Sequence, residues 1–192
     1  CYNDALFYRD ETRELFKAGQ INLRSRSLSE NLFLQIMHQL LDLADEAPRE
    51  HRELEKLREL LSDIYYCNFS LFQSLPDVWA IDQIFPVMPI HRLAEEPSRQ
   101  GIIADITCDC DGKIDKFVDT HNTKRTLPLH ELKKDEEYII GTFLVGAYQE
   151  TLGDLHNLFG DTNVVSVRIL DDGSTEFVHE IQGDSIADVL SY

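Results

Sequence analysis

The first third of the chain repeats its apolar positions with helical spacing. Asp4 to Lys17 is helix-compatible and ends at Gly19, a residue suited to a helix C-terminus. Ser27-Leu28-Ser29-Glu30 has the form of a capping box with Ser27 as N-cap. Behind it Leu28, Leu32, Ile36 and Leu40 recur every four residues, beside Phe33, Met37 and Leu41. This predicts one apolar helix face ending near Leu43. Asp45-Glu46-Ala47-Pro48 reads as a turn, and Leu54, Leu57, Leu61 and Ile64 then recur at spacings of 3, 4 and 3. A second amphipathic helix is therefore expected to fold back as an antiparallel hairpin, with Leu32, Ile36, Leu57 and Leu61 inside it.

The period changes at Tyr65. Tyr65, Cys67, Phe69 and Leu71 alternate with Tyr66, Asn68 and Ser70, which is strand spacing. Gln83 to Ile90 is a further apolar run that Pro86 and Pro89 mark as an edge or bent strand. Gly101 to Cys108 alternates as a strand, with Ile102 and Ile106 assigned to the core. Tyr138 to Tyr148 reads as a long buried strand that brings Val145 into that core. Leu152 to Phe159 fits one or two helical turns. Val164 to Leu170 and Thr175 to Ile181 flank Asp171-Asp172-Gly173-Ser174, a hairpin signature. Asp184 to Tyr192 begins another helical pattern. The expected class is α+β: a helical segment over residues 1–64, then an antiparallel, Greek-key β-barrel-like domain over residues 65–192.

With 192 residues, this is one domain or one domain with an appendage. Its 43% hydrophobic and 28% charged residues exclude a disordered, collagen-like or coiled-coil chain. The longest apolar stretch, Tyr138 to Tyr148, is broken by Gly141 and Thr142 and is too short for a membrane span of roughly 18 residues. No signal peptide opens the chain; a start at Cys1 reads as processing or as a piece of something longer. The net charge is −17, and residues 67–192 contribute −13 of it. Such a surface repels phosphate backbones and argues against nucleic acid. It would attract a cationic ligand, or it serves only to keep the protein in solution. Cys1, Cys67, Cys108 and Cys110 contain no C-x-x-C pair, so free thiols in a cytoplasmic setting are expected.

The densest chemistry lies in Asp105-Ile106-Thr107-Cys108-Asp109-Cys110-Asp111-Gly112, where a strand runs into a turn with carboxylates and thiols. An EF-hand alignment fails, because Thr107 and Val118 replace its first and last acids. Zinc on Cys108, Cys110 and one of His91, His121 or His130 is a second option, with only a C-x-C pair behind it. A third is acid–base work by a thiol beside carboxylates that grip a cation. The plain alternative is an Asp/Gly turn with half-buried cysteines. Gly146-Ala147-Tyr148-Gln149-Glu150 would let a backbone or a phenol approach a ligand, or it is a strand-end aromatic on the core rim. Gly153 to Thr162 is rich in polar groups and is adequately explained as a capped helical turn.

Several long motifs stand in a distinctive order. These are Asn68-Phe69-Ser70-Leu71-Phe72-Gln73-Ser74, Trp79 with Ile81-Asp82-Gln83, Asp105 to Gly112, Gly146 to Glu150, and His156-Asn157-Leu158-Phe159-Gly160-Asp161-Thr162. Together they resemble the biosynthetic arginine decarboxylases, pyridoxal-phosphate enzymes of the alanine racemase fold type. The resemblance runs from about Asn3 to Tyr192. It implies a larger enzyme whose (β/α) barrel, absent from this chain, carries the Schiff-base lysine and most of the phosphate cradle. This chain would be the β-domain with its helical insertion, inactive alone. The family implies L-arginine as substrate, agmatine as product for polyamine synthesis, a cytoplasmic location and Mg2+ at an unspecified site. Its partners would be its own barrel domain and a neighbouring subunit, in at least a homodimer. By position, Cys108 would return a proton to the substrate after CO2 leaves, Asp109 and Asp111 would hold the guanidinium, and Tyr148 would contact the cofactor phosphate. Cys110 departs from the usual serine, and Phe69 stands where related ornithine enzymes carry an aspartate. A stand-alone interaction or regulatory β-domain and a zinc-binding structural domain are the competing readings.

Overall fold

The computed structural model describes residues 2–45, 52–108, 111–120 and 122–192. Asp109, Cys110, His121 and most of the expected Asp45–Pro48 turn lie outside the described residues, as does the side chain of Leu54. The chain forms two compact units, Cys1–Ser62 and Asp63–Tyr192.

Among the described residues, the first unit holds three helices: α1 (Tyr2–Lys17), α2 (Leu23–Asp45) and α3 (Arg52–Leu60). Gly19 ends α1 at φ +69°, with Gly19 N–H bonded to Phe16 O and Gln20 N–H to Leu15 O, the paired bonds of a Schellman turn. The expected capping box is not the start of α2. Asn22 caps it instead, its Oδ1 accepting from Ser25 N at 2.9 Å, and Ser27 lies inside the helix. Glu30 is committed elsewhere: both its oxygens accept from the Arg13 guanidinium, at 2.6 and 2.8 Å. That bidentate pair holds the Glu30 carboxyl below the usual carboxylate range.

The core of this unit is Phe33, Met37 and Leu57, with Leu6, Leu40 and Leu61 packed around it. Leu57 and Leu61 therefore face inward as expected, but Leu32 and Ile36 do not. Leu28, Leu32 and Ile36 line an open groove of about 450 Å³ between α1 and α2. Both stripes have helical spacing, and the one carrying Phe33 and Met37 is the one that packs with Leu57.

The second unit carries β1 (Asp63–Tyr66), α4 (Leu71–Ser74), α5 (Pro76–Ala80), β2 (Val87–Pro89), β3 (Arg99–Ala104), β4 (Lys113–Ile114) and β5 (Phe117–Val118). It continues with β6 (Thr123–Lys124), β7 (Leu127–Leu129), β8 (Ile140–Thr142), α6 (Ala147–Leu152), β9 (Val164–Ile169), β10 (Thr175–Ile181) and α7 (Ile186–Val189). Central β3 pairs with β1 in parallel and with β4 and β7 antiparallel. The ladders β2–β8, β5–β6 and β9–β10 are antiparallel. The architecture is α+β and mostly antiparallel, and the strands do not close into a barrel among the described residues.

Tyr65, Leu71, Leu75, Phe85, Val87, Ile103, Ile114, Phe117, Leu127 and Leu129 form the core. Along β3 and the two residues after it, Gly101, Ile103 and Asp105 are buried; Ile106 is exposed and Ile102 only half-buried, the opposite of the expected phase. The expected strand from Tyr65 through Leu71 stops at Tyr66, because Ser70 caps α4. The long strand expected over Tyr138 to Tyr148 shrinks to Ile140–Thr142. Leu144 then turns into left-handed backbone at φ +60°, which ends strand pairing. Val145 is exposed, and Tyr148 stands on α6 rather than on a core rim. Beyond α6 the segment expected as helix holds only a bridge between His156 and Phe159. The hairpin at Asp171–Ser174 and a helix after Asp184 form as read, the latter with a Ser185–Asp188 capping box.

Candidate functional site

The site is built on the turn that leaves β3. Asp105, only 5% exposed, accepts Leu71 N–H at 2.9 Å, Thr107 Oγ1 at 2.8 Å and Thr107 N–H at 3.3 Å. A buried carboxylate is tolerated only when its lone pairs are occupied in this way. Asp105 N–H donates to Gly112 O at 2.8 Å, closing the base of the turn. A β-carbon at Gly112 would collide with the Asp105 carboxylate, so this close approach requires glycine. The buried acid thus joins the Asp105–Gly112 motif to the start of α4.

Two further clamps bring in the remaining motifs. Gln73 Nε2 donates to Asp161 Oδ1 at 2.6 Å. Gln149, 4% exposed, bonds Asp77 twice: its Oε1 accepts from Asp77 N at 3.1 Å and its Nε2 donates to Asp77 Oδ2 at 2.6 Å. Gly153 packs directly on the Gln73 carbonyl. The motifs at residues 68–74, 105–112, 146–150 and 156–162 therefore meet on one scaffold, although up to about ninety residues separate them, as from Gln73 to Asp161.

Cys108 lies exposed at the rim of the turn. Its N–H donates to Asn157 Oδ1 at 3.1 Å, and its Sγ lies 3.8 Å from His156 Nε2. The His156 ring rests on Phe72, centroids 4.9 Å apart, and Phe72 in turn meets the edge of Trp79 at 5.5 Å. Cys67, by contrast, is half-buried, and burial pushes its thiol up, so it stays protonated. Asp111 is on the same turn as Cys108, its carbonyl accepting from Lys113 N at 2.8 Å. Asp109, assigned to the guanidinium, lies outside the described residues.

Tyr148 is 77% exposed on α6, and its hydroxyl has no partner among the described residues. An exposed phenol can donate one hydrogen bond to an anionic group. Of the zinc candidates, Cys110 and His121 lie outside the described residues. His130 is buried between Tyr138 Oη at 2.8 Å and Glu95 O at 3.0 Å, and His91 bonds Glu137 O. Among the described residues no three His, Cys, Asp or Glu side chains converge as metal ligands. In the sequence His156 and Asn157 belong to a polar stretch and to one of the motifs that carry the resemblance, with no role of their own; their meeting with Cys108 comes from the tertiary fold.

Residues 1–58 match the family described as the arginine decarboxylase helical bundle domain. The whole chain is 51% identical to a biosynthetic arginine decarboxylase of Rhodopirellula baltica and 49% identical to one of Thermosynechococcus vestitus. By sequence the chain belongs to the biosynthetic arginine decarboxylase family. It spans 28% and 30% of the length of those two relatives. A crystal structure of the biosynthetic arginine decarboxylase SpeA from Campylobacter jejuni matches 99% of this chain with 29% of its own, at 37% identity and a TM-score of 0.68. The resemblance read from the motifs thus extends across both units. Among the described residues, no helix is long and apolar enough to cross a membrane.

Proposed function

We propose that this chain is the helical-bundle and β-domain part of a cytoplasmic enzyme that converts L-arginine to agmatine and CO2, for polyamine synthesis. The observation that carries the reading is the convergence of the family's separated motifs on an exposed thiol, Cys108, beside acidic turn residues. Pyridoxal phosphate, when bound, supplies the electron sink that lets CO2 leave. The chain's own residues do the rest. Tyr148 donates its phenolic hydrogen to the cofactor phosphate. Asp109 and Asp111 hold the guanidinium, whose planar fork suits carboxylates. Cys108 carries the proton that takes the place of CO2 on the α-carbon. Residues 65–192 act with a (β/α) barrel and with the neighbouring subunit of at least a homodimer, Cys108 reaching that subunit's site. Mg2+ belongs to the same reading, without an assigned site. Without the barrel's Schiff-base lysine, the chain is inactive alone.

The test is made in the full-length protein. Cys108→Ala should still release CO2 but mis-place the proton, yielding aldehyde and slowing agmatine formation by roughly 10²–10⁴-fold. Asp109→Ala should instead weaken arginine binding by about 1.5–3 kcal/mol. A Cys108 variant mixed with a Schiff-base lysine variant should recover partial activity. If both turn variants change only stability and leave kinetics untouched, the turn is structural.

A further inference from the structure

We propose that His156 is a positioning residue for the Cys108 thiol and the group that returns a proton to it. The inference rests on the reading of Cys108 as the acid. One short loop grips Cys108 twice: Asn157, in left-handed backbone at φ +58°, takes its N–H, and His156 Nε2 stands 3.8 Å from its sulfur. The imidazole lies tilted against the Phe72 ring, centroids 4.9 Å apart, and the His156 backbone bridges to Phe159. A neutral imidazole nitrogen accepts from S–H, and an imidazolium donates to a thiolate.

The proton account closes. The S–H bond breaks as a C–H bond forms at the substrate α-carbon, leaving a thiolate. The imidazolium N–H bond then breaks as S–H reforms, and the neutral ring takes its next proton from solvent. Among the described residues, the turn and the His156 loop both carry acids. On the turn these are Asp105, occupied by Leu71 and Thr107, together with Asp111. The His156 loop is flanked by Asp154 and by Asp161, the latter bonded to Gln73. Helix α4 presents only Phe72, and Asp77 of α5 is bonded to Gln149.

The test is the rate of Cys108 alkylation by iodoacetamide in the full-length protein, read peptide by peptide by mass spectrometry over a pH series. His156→Phe keeps a ring on Phe72 but removes the nitrogens. We expect it to slow Cys108 labelling near pH 7 by about tenfold and to change the pH dependence of that labelling. Half-buried Cys67 is the internal control, since fast labelling there reports unfolding. If His156→Phe does not fold, His156→Gln gives the same comparison, because the amide cannot carry the proton. Labelling with the same rate and inflection as the parent in a folded variant overturns the proposal. If Cys108→Ala makes aldehyde while the labelling profile ignores His156, only the pairing fails. If Cys108→Ala makes no aldehyde, the acid reading fails, and the proton-return role falls with it, whatever the labelling shows.

Discussion

The helical unit and the β unit use their polar side chains differently. In the helical unit the long-range polar contacts sit at the surface, as in Arg13–Glu30, while Phe33, Met37 and Leu57 make an apolar core. In the β unit, buried polar side chains tie distant segments together: Asp105 to Leu71, Gln73 to Asp161 and Gln149 to Asp77. The first arrangement suits scaffold, where an exposed ion pair adds little. The second suits a site, because a buried polar group that needs a partner tolerates few geometries.

The largest effect that would sharpen this contrast is in the helical core. Met37→Ala should cost about 2–5 kcal/mol in a denaturant melt, whereas Leu32→Ala, on the open groove, should cost under about 1 kcal/mol. Equal losses would mean that the groove is filled in the working protein. Next is Gly153→Ala, whose β-carbon would run into the Gln73 carbonyl. We expect a loss of about 3 kcal/mol together with faster proteolysis around residues 70–75. Asp105→Asn follows, at about 1–3 kcal/mol, because the amide cannot accept all three hydrogen bonds with the same oxygens. It should also loosen Cys108, raising hydrogen exchange at the Cys108 amide. Unchanged exchange would separate the buried acid from the thiol.

The smallest effect is Arg13–Glu30, about 0.2–1 kcal/mol in a double-mutant cycle. Because the folded state lowers the Glu30 carboxyl, this stability is fully present above its unfolded value of about 4.3. It disappears as the pH falls through the lower folded value, and Glu30→Gln should flatten that limb of the stability curve.

Where a single local rule acted, the sequence was a good guide. Gly19 stopped α1, and the Asp171–Ser174 turn made its hairpin. Where two faces were equally apolar, it was not. Leu32 and Ile36 have the same periodicity as Phe33 and Met37, and Ile102 and Ile106 the same alternation as Ile103. Spacing carries the period but not the phase; the phase is set by what packs against the element.

The sequence alone determined the α+β class, the order of the motifs and, through them, the family. Those follow from local patterning and from residue identity, which need no third dimension. Only the tertiary structure decided that Glu30 leaves its apparent capping box for Arg13, that Tyr148 stands exposed on a helix, and that His156 meets Cys108. Each depends on groups brought together from distant parts of the chain, and such contacts are chosen by burial and by completing hydrogen bonds across the whole fold.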